Sequence, residues 1–84
     1  MNIINNLKDI ILEKEFKFIY RNNSIEITNY ESIPVFNFEE ISIKYNGGIL
    51  VIYGEKLVIS KLEKTELLIT GKINNIELRR KIDK

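Results

Sequence analysis

The chain has 84 residues, of which 13 are basic and 12 acidic, for a formal net charge of +1. That length makes one domain, and the charge balance argues against a dedicated nucleic-acid binder, which carries a basic excess on one face. There is no cysteine and no histidine, which removes disulfides, ordinary zinc ligation and the usual pairings of nucleophile and general base. Aspartate occurs only at Asp9 and Asp83, far from the clustered oxygen ligands of a calcium loop. The composition therefore predicts a protein that is not an enzyme and holds no cofactor or metal. A domain this short buries only about 60% of the surface its unfolded chain exposes. With disulfides and metals removed, association is the remaining way to reinforce it.

The first segment, residues 1–15, reads as a short amphipathic helix. Ile3, Ile4, Leu7, Ile10 and Ile11 recur at spacings of three and four, which sets them on one stripe, with Asn2 as N-cap. Ile3, Ile4, Leu7 and Ile11 are candidate partner contacts, with the protein's own sheet as the competing cover. The polar side of this segment has few basic residues, unlike an interfacial membrane helix.

From Phe16 the period changes to two. Phe16, Phe18 and Tyr20 alternate with Lys17 and Ile19, and Asn22-Asn23 marks a turn. Ile25 and Ile27 share a face opposite Glu26. Ile33-Pro34-Val35-Phe36 is a short extended run whose proline suits an edge. Ile41, Ile43 and Tyr45 alternate with Ser42 and Lys44, and the run stops at Asn46-Gly47-Gly48. That signal predicts a hairpin with a type I′ turn, both of whose central residues need positive φ.

The last third carries a weak repeat. Leu50-Val51-Ile52-Tyr53-Gly54 returns 17 residues later as Leu67-Leu68-Ile69-Thr70-Gly71. After Gly54 the apolar parity shifts by one, which requires a turn or a bulge. Gly54-Glu55-Lys56 fits a tight turn between strands; Gly71 fits a bent strand with a bulge at Asn74-Asn75. Parity does not separate the two. Gly47, Gly48, Gly54 and Gly71 read as turn and bulge glycines and not as a ligand cradle, since no phosphate-binding pattern surrounds them. Ile49, Val51 and Tyr53 are apolar on the face opposite Leu50 and Ile52, so this strand is central or half of an interface. They are the second set of partner-interface candidates.

The runs Ile27-Thr28-Asn29-Tyr30, Ile33, Phe36 and Ile41-Ser42-Ile43, then Gly48 to Ile59, then Glu66 to Ile73 and Ile76, resemble the YabP/YqfC sporulation-protein family. The resemblance covers roughly Phe18 to Leu78 and rests on the order and spacing of the whole set. The compact N-terminus and short length are more similar to the YqfC branch. The resemblance implies a non-enzymatic role in spore formation in the mother-cell cytoplasm, in a complex with an integral membrane protein, and brings no catalytic residues.

The expected fold is mostly β: the short N-terminal helix, then six to eight mainly antiparallel strands in a twisted sheet or small β-roll over residues 16–79, then a basic tail, 80–84. No signal peptide or bilayer-spanning apolar run is read in the chain, so the expected place is the cytoplasm, with membrane contact through a partner. Arg79, Arg80, Lys81 and Lys84 form a basic C-terminus, read as a solvated tail more than as a lipid contact. Homo-oligomers are a second expectation. The rival is a module for single-stranded nucleic acid or glycan that uses Tyr30, Phe36, Phe38, Tyr45 and Tyr53.

Overall fold

A computed structural model of the chain describes residues 15–81. Six strands follow one another: β1 (Lys17–Arg21), β2 (Ser24–Thr28), β3 (Ser32–Phe36), β4 (Glu40–Tyr45), β5 (Gly48–Leu62) and β6 (Glu66–Arg80). They form one antiparallel sheet in the order β1-β2-β6-β5-β4-β3. The predicted helix over residues 1–15, with Ile3, Ile4, Leu7 and Ile11, falls in residues 1–14 outside the described ones apart from its last position; Glu15 is not helical.

Two 15-residue strands organise the sheet. The first half of β5 lies between β4 and the second half of β6; the first half of β6 lies between β2 and the second half of β5. The pairing of β5 with β6 shifts register between Tyr53 and Gly54, between Glu55 and Val58, and between Ile59 and Lys61. Bulges bend strands and increase their twist. The two halves of the sheet thus turn one face inward. Ile25 and Ile27 of β2, Ile41 and Ile43 of β4, Leu50, Ile52 and Leu57 of β5, and Leu67 and Ile69 of β6 make a single buried cluster. At the open end, Phe16 stacks on Tyr45 with ring centroids 4.0 Å apart.

Hairpin turns fasten both bends. Gly54 N–H donates to Glu39 O (3.0 Å) and Leu57 N–H to Phe38 O (2.9 Å), both in the β3–β4 turn. Gly71 N–H donates to Asn23 O (3.1 Å) in the β1–β2 turn. The 17-residue repeat corresponds to this arrangement, because each copy is a core strand running into a fastened bend.

Three readings of the sequence are corrected. Gly54-Glu55-Lys56 is not a turn between strands, because β5 runs through it; Lys56 takes φ of 54° and absorbs the parity change as a bulge. The Asn46-Gly47 hairpin forms, pairing Tyr45 with Gly48, but the turn is not type I′. Positive φ falls on Gly48 (154°) and on neither Asn46 nor Gly47. Here β6 sets the constraint, since a Cβ on Gly48 would lie 2.1 Å from Arg79 O. Lastly, Arg79 and Arg80 are not a loose tail; they pair with Ile49 and Gly48 and close β6.

Candidate functional site

The period-2 backbone of β5 sends Leu50 and Ile52 into the core and Ile49, Val51 and Tyr53 to the opposite face. Pairing fixes their neighbours. Ile49 lies between Lys44 and Arg79, Val51 between Ser42 and Glu77, and Tyr53 between Glu40 and Asn75. Val51 is 1% exposed although it is not part of the core cluster, while Ile49 and Tyr53 are half-buried.

Polar side chains converge beside Val51. Arg79 Nη2 donates to Glu77 Oε1 at 3.0 Å and to the Tyr53 hydroxyl at 3.4 Å; that hydroxyl donates to Glu77 Oε1 at 3.3 Å. The alternation of β6 puts Glu77 and Arg79 on one face, two residues apart. The hydrogen bond from Arg79, followed by its charge, holds the Glu77 carboxyl below its usual range despite opposing desolvation. Desolvation, then the Glu77 charge, pushes the Tyr53 phenol up. The bond to Glu77 raises Arg79 further. The result is an outer face on which Ile49 and Tyr53 stay half-accessible beside a satisfied ionic network, while Val51 between them is buried.

The acidic pairs lie outside this hydrogen-bonded network. Glu63 and Glu66 flank Lys61 at 3.9 and 3.7 Å, with all three side chains solvated. Glu39 and Glu40 lie at the β3–β4 turn, where both N–H groups donate to Asn37 Oδ1. Among the described residues no three side chains of the metal-ligating kinds come together.

The structure unites one sequence-predicted set, Ile49, Val51 and Tyr53. Of the glycines, Gly47 lies in the hairpin turn, Gly48 opens β5, and Gly54 and Gly71 lie at the bends. The five aromatics of the polymer-binding alternative do not share a platform. Tyr45 shares the parity of core residues Ile41 and Ile43, whereas Tyr53 is on the outer face. Tyr30 packs on the core and donates its hydroxyl to Glu63 O; Phe36 and Phe38 are exposed. Sequence reasoning missed Glu77 and Arg79 as companions of Tyr53. The available signal was their two-residue spacing on a strand, which reading Arg79 as a tail residue hid.

The YabP family model matches residues 14–84 of the chain. This chain belongs to the YabP family, a sporulation-associated family. The match spans every strand of the sheet, including both bends and the outer face of β4, β5 and β6. It does not separate a YqfC-like branch from the rest. A search of curated proteins returned no match. Among the described residues no helix is long and apolar enough to cross a membrane.

Proposed function

We propose that this chain is a non-enzymatic sporulation protein that acts by protein–protein association, with an integral membrane protein as its partner in the mother cell. Membership of the YabP family across residues 14–84 carries this reading. The outer face supports it through Ile49 and Tyr53, because half-accessible apolar side chains beside a paired ionic network suit a folded protein segment better than a charged polymer. The separation of Tyr45 from Tyr53 across the sheet favours a protein partner over single-stranded nucleic acid, which needs successive stacking rings along one groove.

Deleting the gene in its native host and counting heat-resistant spores tests the role. A fall of several orders of magnitude, restored by the gene in trans, supports it; an unchanged count refutes it. Membrane recovery of the protein that withstands high salt supports a hydrophobic protein contact. Release at modest salt points to phosphate or lipid charge instead.

A further inference from the structure

Among the described residues the sheet is open, and its two edges differ. On β2, Asn29 N–H donates to Thr65 O at 2.7 Å and Asn23 O accepts from Gly71 N–H at 3.1 Å. Odd-numbered positions of this stretch therefore bond toward β6, and Ser24, Glu26 and Thr28 bond toward β1. Their partners on β1 are Arg21, Ile19 and Lys17. The N–H and C=O groups of Phe18 and Tyr20 consequently point out of the sheet. The far edge, β3, carries Pro34, whose nitrogen has no hydrogen to offer to a further strand. Register also shifts between Ser32 and Val35. A proline and a bulge both blunt an edge; β1 has neither.

We propose that β1 pairs antiparallel with β1 of a second copy, with Phe18 on the two-fold axis. An isologous contact must complement itself. This register sets Glu15 against Arg21 of the other copy, Phe16 against Tyr20, and Phe18 against Phe18. Opposite charges and aromatic pairs face each other, the combinations that stabilise neighbouring strands. Moving the axis to Ile19 sets Lys17 against Arg21, two like charges directly opposed. Glu15 is positioned for its role, since its carbonyl accepts a hydrogen bond from Asn29 Nδ2 at 2.8 Å. Phe16 and Phe18 already pack on the core, and pairing extends that aromatic row across the axis. The dimer rests on the general reading of the chain as an association module but uses a surface separate from Ile49–Tyr53. A monomer that still supports spore formation refutes the dimer alone, and a dimer without a sporulation role refutes the function alone.

Sedimentation or light scattering over a concentration series tests the register. The wild-type protein dimerises in the micromolar range. Glu15→Lys and Arg21→Glu each weaken dimerisation by about tenfold, because two attractive pairs become repulsive. An equimolar mixture of the two variants regains it, since every facing pair is again opposite in charge. Tyr20→Pro removes one outward N–H and no bond to β2, so circular dichroism should show a folded chain and sedimentation a monomer. A wild-type monomer at every concentration, or a mixture no better than its components, overturns the proposal.

Discussion

The close crossing of β5 and β6 makes Gly54→Ala a sharp test of the bend. Gly54 has no unusual φ, so backbone freedom is not what selects glycine there; space is. A Cβ at this position would lie 2.0 Å from Lys72 O and 2.9 Å from Leu57 Cδ2. The nearer atom belongs to the neighbouring strand's backbone and cannot swing aside. The strands must separate by more than an ångström, beside the bonds from Gly54 and Leu57 to the β3–β4 turn. Overpacking of a tight site costs about 1–3 kcal/mol, and a backbone clash belongs at or above the upper end. A domain of this size has roughly 4–13 kcal/mol of stability in all. At about 4–8 °C per kcal/mol, a loss of about 3 kcal/mol lowers the melting temperature by roughly 12–24 °C. Gly47→Ala is the control: its Cβ would meet only the Tyr45 ring, at 2.9 Å to Cε2, and it should lose less than about 1 kcal/mol. Urea and thermal unfolding of both variants decide the matter. A Gly54→Ala protein within about 0.5 kcal/mol of wild type refutes the crossing geometry.

Asn37→Ala removes the acceptor for the N–H groups of Glu39 and Glu40, both at 2.8 Å, and should destabilise the protein by about 1 kcal/mol. Hydrogen exchange at Gly54 and Leu57 should quicken with it, because that turn fastens their amides; unchanged exchange contradicts the coupling. The outer-face network makes a pH prediction. Glu77 has a lowered folded pKa, so its contribution is present above the ordinary value of 4.5 and is lost as pH falls through the folded one. Glu77→Gln should therefore flatten the acid limb of a stability–pH curve below that value. Tyr53 is raised above 10.0, so its contribution is present below that pH and lost as pH climbs through the folded value. Tyr53→Phe should flatten the alkaline limb; in either case a curve superimposable on wild type contradicts the network.

Much of the sheet was legible because its alternation is local. Ile25 and Ile27, Ile41 and Ile43, and Leu50 and Ile52 each announce a buried face by period two, and all six are in the core. Asn46-Gly47 announced a hairpin, but its turn geometry depends on Arg79 O approaching Gly48 from a strand 31 residues away, which no local pattern encodes. The parity change after Gly54 was visible, yet turn and bulge leave the same mark in one strand. What separates them is the pairing of Glu55 with Lys72 and of Val58 with Thr70. Ile49, Val51 and Tyr53 could be assigned to one face from spacing alone. Their meeting with Glu77 and Arg79 required the β5–β6 register, which the bulges disguise. The pairing of β2 with β6, between strands 38 or more positions apart in the chain, likewise has no signature in either segment.

The central claim is that association through the outer face of β4, β5 and β6 serves spore formation. Its most direct test is complementation of the deletion strain with Ile49→Lys, which places a third cation between Lys44 and Arg79 on a half-buried site. The purified variant must first show a near-native unfolding transition and the wild-type oligomeric state. The account then predicts heat-resistant spore counts close to those of the deletion, where the wild-type gene restores them in full. Full restoration by Ile49→Lys would contradict it.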